Sequence, residues 1–376
     1  MFRIRGAVLE RIGSPRPYVE SRPISVADLD LEAPGSDEVL VRVEAAGVCH
    51  SDLSVVNGNR VRPVPMLLGH EAAGIVEQVG DRVDDRVDDR VDEVAVGQRV
   101  VLVFLPRCEH CPACATEGMT PCQPAGAANA AGTLLGGAIR LSREGHPVYH
   151  HLGVSGFATH AVVNRASAIA VPDDVPAQVA ALLGCAVLTG GGAVLNVGNP
   201  RPGQSVAVVG LGGVGMAAAL TALTYPDVRV IGVDQIPEKL SAATKLGVHD
   251  TYTPQRATDA GVKADVVVEA VGHPDALQTA IALTAPGGCT VTVGLPPPDA
   301  RISISPLGFV AEGRSLIGSY LGSAVPRRDI PRFVSLWRSG RLPVESLVSS
   351  TIRLDDINAA MDHLADGVAI RQLITF

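Results

Sequence analysis

One short segment, CEHCPACATEGMTPC, holds the densest group of metal-ligating residues in the sequence. Its cysteines are Cys108, Cys111, Cys114 and Cys122, at the spacing C-x2-C-x2-C-x7-C. Four thiolates on one loop complete a tetrahedral site with no open position, which is typical of structural zinc. An iron–sulfur cluster also uses four cysteines, but the ferredoxin pattern brings its next cysteine sooner and places a proline after it. The segment therefore predicts a structural zinc site.

A second group of possible metal ligands is dispersed along the chain. GVCHSDL supplies Cys49, LLGHEAAG supplies His70, and LLGCAVLTGGGA supplies Cys185. Two cysteines and one histidine, with water in the fourth position, form an open catalytic zinc site. Such a zinc is a Lewis acid that acts on an alcohol or carbonyl oxygen and lowers the pKa of the alcohol. Spacing alone leaves a second interpretation open, because a cysteine in an apolar run also packs as a small core residue.

A glycine-rich turn lies farther along, in VAVVGLGGVGMAA. Gly210, Gly212 and Gly215 form G-x-G-x-x-G between a predicted strand and a predicted helix, a context that favours dinucleotide binding. The first two glycines permit the tight turn and the approach to a pyrophosphate, and the third permits close packing of helix on strand. Asp234 ends the next predicted strand, where an acid binds the ribose hydroxyls and repels a 2′-phosphate. The pattern predicts NAD rather than NADP.

The predicted elements divide the sequence into two kinds of fold. Before about residue 203, β-rich runs such as EVLVRVEAAGV and QRVVLVFL alternate with glycine and proline, which is typical of an antiparallel, barrel-like domain. The segments from SVAVVG to CTVTVGL alternate strands with helices, among them ALQTAIALTAPGG, and predict a doubly wound parallel sheet. The expected layout is an α/β protein with one domain from residues 1–186 and 321–376 and an inserted dinucleotide domain at 187–320.

Composition limits the partners of this chain. Of its 376 residues 47% are apolar and 19% are charged, and the formal net charge is −8. The acidic balance argues against nucleic acids and anionic membranes as partners. The N-terminal MFRIRGAVLE lacks the apolar core of a signal peptide, and no run of about 18 apolar residues stands out, so we expect a cytoplasmic protein that spans no membrane. Its cysteines are then reduced.

A tract at residues 81–93, DRVDDRVDDRVDE, repeats a four-residue unit three times. The predicted role is a solvated loop without chemistry, because long surface insertions cost little closure entropy. A weak divalent-cation or partner site is the alternative interpretation.

These motifs together resemble those of the zinc-dependent medium-chain alcohol dehydrogenases, over nearly the whole chain. The most specific is GHEAAGIVEQVG at residues 69–80, and the four-cysteine segment and GLGGVG follow in the order of that family. The resemblance implies a GroES-like, mostly-β catalytic domain and an inserted Rossmann domain. It also implies NAD and two zinc ions per subunit, one catalytic and one structural.

The resemblance implies a role for each residue of the dispersed group. The implied ligands of the catalytic zinc are Cys49, His70 and Cys185. Glu71 is implied to lie behind the metal and to exchange with its water. Asp52 is implied to orient His70, and Ser51 to bind the substrate hydroxyl and start a proton relay.

Contacts with each part of the coenzyme are also implied. They are His50 and Arg371 at the pyrophosphate beside Gly210, Gly212, Gly213 and Gly215; Asp234 and Lys239 at the adenosine ribose; and Thr189, Val214 and Val293 at the nicotinamide.

The sequence departs from the family pattern at three positions. Ser54 stands where classical members carry the histidine that ends the proton relay, and serine takes up no proton near neutral pH. Arg60 and Gly126 match positions where the glutathione-dependent formaldehyde branch has an acid and an arginine, which disfavours thiol adducts as substrates. Phe104 and Tyr320 are expected to line the pocket and to favour an apolar alcohol, aromatic or allylic.

The expected activity is reversible hydride transfer between a primary or secondary alcohol and NAD. One alternative is a thiol-dependent formaldehyde dehydrogenase, and another is a zinc- and NAD-binding redox sensor without turnover. Residues 301–323 are implied as a subunit interface, with a homodimer expected before a tetramer. The other expected partner is the small-molecule alcohol or aldehyde.

Overall fold

The computed structural model describes residues 1–81 and 94–376, so the acidic tract lies almost wholly outside the described residues. The strands are β1 (Phe2–Leu9), β2 (Ile24–Leu31), β3 (Glu38–Val48), β4 (Met66–Leu67), β5 (Ala72–Val79), β6 (Arg99–Leu102), β7 (Leu141–Arg143), β8 (His146–His150), β9 (His160–Asn164), β10 (Ala168–Val171), β11 (Ser205–Val209), β12 (Arg229–Val233), β13 (Asp250–Tyr252), β14 (Ala264–Glu269), β15 (Thr284–Thr292), β16 (Ser315–Gly318), β17 (Ser350–Ile352) and β18 (Gln372–Thr375).

The α-helices alternate with these strands. They are α1 (Tyr18–Ser21), α2 (His50–Val56), α3 (Gln123–Ala131), α4 (Ala177–Leu182), α5 (Leu188–Gly192), α6 (Gly213–Ala222), α7 (Pro237–Lys245), α8 (Pro254–Asp259), α9 (Pro274–Leu283), α10 (Pro306–Glu312), α11 (Pro326–Arg338) and α12 (Ile357–Ala365). Two π-helical segments, Leu183–Val187 and Ala193–Gly198, follow α4 and α5 and make residues 177–198 one continuous helical run.

The mostly-β part of the molecule contains a closed barrel and a second sheet. The barrel has the order β1-β2-β7-β8-β4, and the second sheet has the order β10-β6-β5-β3-β18-β17, with β9 also paired to β3. Strand β18, at the end of the chain, pairs antiparallel with β3 near its start, and Gln372 is opposite Val48. Both chain ends therefore contribute to one sheet, as expected, whereas the boundaries at 186/187 and 320/321 stay predictions.

The middle of the chain forms a parallel six-stranded sheet. Its order, β13-β12-β11-β14-β15-β16, is that of a Rossmann fold, which confirms the α/β class. The first two strands of this sheet in the sequence, β11 and β12, are adjacent. They pair in parallel from Ser205 opposite Arg229 to Val209 opposite Val233. Their carboxyl ends therefore bring the glycine turn and Asp234 to one edge of the sheet.

The predicted helix ALQTAIALTAPGG is partly wrong. Helix α9 ends at Leu283, and Thr284–Thr292 form β15. The apolar periodicity of the helix ends before Pro286 and Gly287, and Gly287 has a positive φ of 74° that no helix contains.

The helical run at residues 177–198 also differs from expectation. It has 22 residues and a mean hydropathy of 1.8, so by length and composition it is apolar enough to cross a membrane, although no such run was expected. The glycines and Thr189 interrupt the strongly apolar residues of this segment, so the sequence alone does not show one continuous apolar run. The run is 89% buried inside the protein, which is the property of a core helix. It carries Cys185 and Thr189 between the β sheet and the Rossmann helices.

This helix lies unusually close to α6. A Cβ atom on Gly190 would lie 1.9 Å from the carbonyl oxygen of Val214, and one on Gly184 would lie 2.3 Å from that of Leu102. Both glycines therefore permit backbone contacts that a larger residue prevents, and they fix the position of Cys185 relative to the glycine turn.

We predict that Gly190→Ala destabilises the protein, by about 1–3 kcal/mol or more, because the added methyl group must displace backbone rather than a flexible side chain. Gly126→Ala in α3 is the control, since its Cβ meets no atom within 4 Å. Alanine there is neutral or stabilises the helix by up to about 1 kcal/mol. Thermal and denaturant unfolding measure both; equal stabilities would contradict the packing described.

Candidate active site

The residues of the dispersed group meet at one buried point. Cys49 follows β3 and precedes α2, His70 and Glu71 precede β5, and Cys185 lies on the π-helical segment Leu183–Val187. One ligand atom from each of these four residues lies within 4.8 Å of the others, and all four residues are buried. The fold thus assembles, from three distant parts of the sequence, the donor set that spacing left uncertain.

The donor geometry suits a tetrahedral zinc ion. The Sγ atom of Cys185 is 3.4 Å from Nε2 of His70. Zinc bonded to both atoms at ordinary lengths separates them by about 3.6 Å. Both carboxylate oxygens of Glu71 are buried without a hydrogen-bond partner among the described residues, and the guanidinium of Arg371 lies 3.4 Å from one of them. One arginine does not balance a carboxylate and two thiols that lie together in the interior, so the residues present fit zinc.

The two thiols are coupled electrostatically. A hydrogen bond from Cys185 holds the pKa of Cys49 well below its usual value, and the same bond, together with burial, raises the pKa of Cys185. One thiol of the pair, Cys49, therefore loses its proton readily. The second thiol, Cys185, loses its proton only when more positive charge lies nearby. A bound metal cation deprotonates a coordinating thiol outright, which removes this conflict.

Asp52 holds the imidazole of His70 from behind. Its Oδ1 lies 2.9 Å from Nδ1 of His70, and its Oδ2 accepts a bond from the backbone N–H of Cys49 at 3.0 Å. Burial by itself raises the pKa of Asp52, but His70 and His151 outweigh it and lower the pKa to about 2. An ionised Asp52 keeps the proton of His70 on Nδ1 and leaves Nε2 free to bind a metal.

His151 belongs to this network, and sequence reasoning missed it. Its Nδ1 is 3.1 Å from Oδ1 of Asp52, and its ring meets the ring of His70 edge-on at 5.4 Å. Burial lowers its pKa, so it stays neutral near pH 7. The double histidine in YHHLGVSG was the available signal, but no spacing rule connects it with Asp52 or His70.

Arg371 joins the metal-ligand group to the glycine turn. Its Nη1 is 3.4 Å from Glu71 and donates to the carbonyl oxygen of Val48 at 3.1 Å. A Cβ atom on Gly213 would lie 2.6 Å from the guanidinium, so the arginine rests directly on the turn. Burial raises the pKa of Glu71 to about 7, although Arg371 opposes this shift. A single cation thus lies between the carboxylate and the place where a pyrophosphate is expected.

The glycine turn has the conformation that dinucleotide binding requires. Gly210 has a φ of 92°, and Gly212 precedes the first turn of α6. A Cβ atom on Gly215 would lie 1.7 Å from the carbonyl oxygen of Gly210, whereas one on Gly212 meets nothing within 4 Å. Gly215 therefore permits helix–strand packing, and Gly212 leaves open the space above the helix N-terminus, where N–H groups favour phosphate.

Asp234 and Lys239 lie at the edge of the same sheet. The carboxylate of Asp234 accepts bonds from the backbone N–H groups of Leu211 at 2.7 Å and Ile236 at 2.9 Å. Lys239 is buried, and burial lowers its pKa, while the charge of Asp234 opposes the shift. The acid is thereby fixed next to the glycine turn, with a lysine in electrostatic contact.

The remaining predicted coenzyme contacts lie around this cleft. Thr189 and Val293 are buried, Val214 is half-buried in the first turn of α6, and His50 is exposed at the start of α2. The backbone N–H of Val293 is already bonded to the carbonyl of Glu269, which leaves its carbonyl for a ligand. Their coenzyme contacts stay predictions.

The serines beside Cys49 differ in their availability. Ser51 is half-buried in the first turn of α2. The hydroxyl of Ser54 donates to the backbone carbonyl of His50 at 2.8 Å, one turn back along the helix. Ser54 is therefore engaged within α2 and does not extend a relay in the way that a histidine does.

The four cysteines of the lobe converge as their spacing predicted. Their sulfur atoms lie within 4.8 Å of one another, with 3.9 Å between Cys108 and Cys114 and 3.6 Å between Cys111 and Cys114. Tetrahedral zinc–thiolate geometry separates sulfur atoms by about 3.8 Å. All seven cysteines in the chain are free, so no disulfide competes for these thiols.

A chain of edge-on rings runs past His70. Phe104 meets His70 edge-on at 5.4 Å, and Tyr320 meets Phe104 edge-on at 6.0 Å. His151 continues the chain on the other side of His70. The role of Phe104 and Tyr320 in lining a substrate pocket stays a prediction.

Comparison with known proteins agrees with this geometry. The alcohol dehydrogenase GroES-like domain matches residues 35–173, and the zinc-binding dehydrogenase domain matches residues 213–339. The structure of an alcohol dehydrogenase zinc-binding domain protein from Burkholderia ambifaria is 32% identical, with a TM-score of 0.89, over 100% of this chain and 99% of that chain. This chain belongs to the zinc-binding alcohol dehydrogenase family.

Two further solved structures resemble this dehydrogenase along its whole length. Benzyl alcohol dehydrogenase from Acinetobacter calcoaceticus is 27% identical, with a TM-score of 0.88, and each chain is covered over 100%. A cobalt- and zinc-bound thermostable alcohol dehydrogenase from Pyrobaculum aerophilum is 26% identical, with a TM-score of 0.78 and the same coverage of both chains. The family membership makes the protein a zinc-binding oxidoreductase that uses NAD(P).

We predict that Asp52→Asn weakens zinc binding at the catalytic site by about 10- to 100-fold, because a neutral amide orients His70 less well and no longer raises its basicity. Competition with a chelator, followed by metal analysis, measures the loss. Asp275→Asn, at a side chain that is 85% exposed, is the control and should keep wild-type zinc. Equal retention in both variants would show that Asp52 does not support the site.

Proposed function

We propose that this protein is an NAD-dependent zinc alcohol dehydrogenase that interconverts a primary or secondary alcohol and its carbonyl product. The observation that carries the proposal is the position of Arg371, between the buried ligand group of Cys49, His70 and Cys185 and the glycine turn at Gly213. Arg371 thus contacts both the metal-ligand group and the dinucleotide site. This arrangement suits a reaction between a substrate bound at the metal and a bound dinucleotide.

The proposed roles follow from the positions of the residues. Cys49, His70 and Cys185 would hold zinc, which would supply a Lewis acid that lowers the pKa of a substrate hydroxyl. Ser51 would accept the hydroxyl proton while it passes its own proton on to water, and Glu71 would balance charge behind the metal. The buried surroundings would keep water away from a hydride transfer to the nicotinamide.

The proton leaves by a short route under this proposal. Ser54 already donates to the carbonyl of His50, so it is not the acceptor at the end of the relay. We propose that water beyond Ser51 takes the proton. His50 is exposed at the start of the same helix and precedes Ser51 in the sequence, whereas Asp52 on the other side of Ser51 is buried against His70.

The proposed substrate is an aromatic alcohol. The edge-on rings of Phe104 and Tyr320 present apolar surface next to His70. Aromatic pairs favour such edge-on and offset arrangements, which a third ring extends readily. The similarity to benzyl alcohol dehydrogenase supports the same class of alcohol.

Two rival functions are less well supported. A thiol-dependent formaldehyde dehydrogenase needs a binding site for its charged thiol adduct. The acid and the arginine that the glutathione-dependent branch has for this purpose are replaced here by Arg60 and Gly126. A redox sensor without turnover does not need Ser51 beside a complete open ligand set. Formaldehyde oxidation that requires glutathione would favour the first rival.

The remaining proposals concern assembly and location. Zinc in the lobe of Cys108, Cys111, Cys114 and Cys122 is proposed to be structural, giving two zinc ions per subunit. Residues 301–323 are proposed as a homodimer interface, before a tetramer, because β16 is an edge strand and Leu307 and Val310 in α10 are 72% and 83% exposed. We also propose a cytoplasmic location, because zinc binding requires reduced thiols and the cytoplasm keeps thiols reduced.

Oxidation of benzyl alcohol and related alcohols with NAD tests the proposal by absorbance at 340 nm. We predict turnover by the wild type with two zinc ions per subunit. Cys185→Ala should retain one zinc and lose turnover, because only the catalytic set is broken. Cys289→Ala is the control and should keep both ions, since Cys289 lies in β15 away from either set. Turnover that survives Cys185→Ala with one zinc would contradict the assignment.

Coenzyme preference gives a separate test of Asp234. We predict that Asp234→Asn lowers the ratio of kcat/KM for NAD to that for NADP by about 10-fold or more, because it removes a negative charge that repels the 2′-phosphate. The amide retains an acceptor oxygen for one of the two backbone bonds. Asp275→Asn should leave the ratio unchanged, and an equal ratio in both variants would show that Asp234 does not select NAD.

A further inference from the structure

Two neighbouring arginines have no acidic partner among the described residues. Arg60 and Arg62 follow α2 and precede β4. Within residues 1–81 and 94–376, neither forms an ion pair, whereas most other half-buried arginines there do, including Arg99 and Arg140. Half-buried cations without a counter-charge are costly, so a structure that keeps two of them adjacent has a use for their charge.

Arg62 is the more enclosed of the two. Its Nε is buried and has no hydrogen-bond partner, and its Nη1 makes only a long contact of 3.4 Å with the carbonyl oxygen of Val61. Burial lowers its pKa, and the positive charge of Arg60 lowers it further. The guanidinium therefore has unused donors, in a fork that matches a carboxylate.

Helix α3 connects the segment of Arg60 and Arg62 to the chain of rings. Asn129 in α3 donates to the carbonyl oxygen of Phe104 at 2.7 Å. At the end of α3, a Cβ atom on Gly132 would lie 2.9 Å from Cγ of Pro63, the residue after Arg62. Burial raises the pKa of Tyr320, the ring next to Phe104, and the charges of Arg60 and Arg62 oppose that shift, in agreement with this position.

Arg60 approaches the loop that follows β15, where the nicotinamide contact of Val293 is proposed. Its Nη2 approaches the carbonyl oxygen of Pro296 at 3.4 Å, three residues beyond Val293. The coenzyme phosphates have their own cradle, at the N-terminus of α6 beside Arg371. The arginine pair therefore lies on the side of the substrate.

We propose that Arg60 and Arg62 bind a carboxylate at the far end of the substrate, so that the preferred alcohol has an aromatic or apolar body with a hydroxyl at one end and a carboxylate at the other. This inference rests on the proposed dehydrogenase activity. The rings hold the body, the metal-ligand group receives the hydroxyl, and Arg62 forms charge-assisted hydrogen bonds with the carboxylate. Small carboxylate alcohols and the carboxylates of a thiol–formaldehyde adduct share this chemistry, and the experiment separates them.

The test compares substrates of matched shape. The zinc-loaded enzyme is assayed with NAD and 3- or 4-(hydroxymethyl)benzoate, with the corresponding neutral benzamides, and with benzyl alcohol. We predict that kcat/KM for one benzoate exceeds that for its amide by about 10- to 100-fold, the usual effect of a hydrogen bond to a charged group. Raising the salt concentration should reduce the preference only partly, because Arg62 is half-buried.

The variants identify the residues responsible. Arg62→Gln should lower the benzoate-to-amide ratio of kcat/KM by about 10-fold or more, Arg60→Gln should lower it less, and Arg62→Lys should retain part of it. Arg3→Gln, at a side chain that is 63% exposed on β1, should leave the ratio unchanged. Zinc content and circular dichroism verify that each variant is folded.

The outcomes distinguish failure of the carboxylate site from failure of the proposed dehydrogenase activity. Equal rates with benzoates and amides, or a ratio that Arg62→Gln leaves intact, overturn the inference and leave the dehydrogenase activity standing. If no alcohol is oxidised, the proposed function fails, and calorimetry with 4-methylbenzoate and 4-methylbenzamide on the NADH complex still tests the arginines. Formaldehyde oxidation that needs glutathione and is lost in Arg62→Gln identifies the adduct as the source of the carboxylate; no such dependence leaves the small alcohol.

Discussion

The structure depends on keeping four ionisable side chains buried around one point. Cys49, His70, Glu71 and Cys185 meet in the buried interior of the protein. Two thiols and a carboxylate there accumulate negative charge, which an apolar interior tolerates only next to compensating cations. A bound divalent metal and the guanidinium of Arg371 supply that compensation, and Asp52 fixes the imidazole that completes the set.

Close backbone contacts make this arrangement possible. A Cβ atom on Gly47 would lie 2.7 Å from the carboxyl carbon of Glu71, so only glycine leaves room for that side chain behind the ligands. Gly184 and Gly190 bring the helix of Cys185 against β6 and α6, and Gly213 receives Arg371. The metal-ligand group and the dinucleotide turn are thereby held within one rigid core, which precise positioning for hydride transfer requires.

The sequence predicted those parts of the site whose residues are local. The four-cysteine lobe follows from spacing on one loop, and the glycine turn follows from a strand–turn–helix pattern. Cys185 gave no signal of its own, because a π-helical turn inside an apolar helix directs it towards His70 and no periodicity reveals such a turn. Its assignment came from family resemblance.

Other features depended on tertiary contacts that no local pattern contains. His151 reaches Asp52 from the residue after β8, and the burial of the Nε atom of Arg62 becomes visible only in the assembled fold. The strand at Thr284–Thr292 was mistaken for the end of a helix because its first residues continue an apolar run. Phe104 and Tyr320, by contrast, meet edge-on beside His70, and their role in lining a substrate pocket stays a prediction.

The most direct test of the account is zinc K-edge X-ray absorption of the variant Cys111→Ser/Cys114→Ser, in which the lobe can no longer bind zinc with four thiolates. The account predicts one zinc per subunit with two sulfur ligands at about 2.3 Å and nitrogen or oxygen ligands at about 2.0–2.1 Å. A protein without zinc, or a zinc without two sulfur ligands, would contradict the convergence of Cys49, His70 and Cys185 on one metal ion.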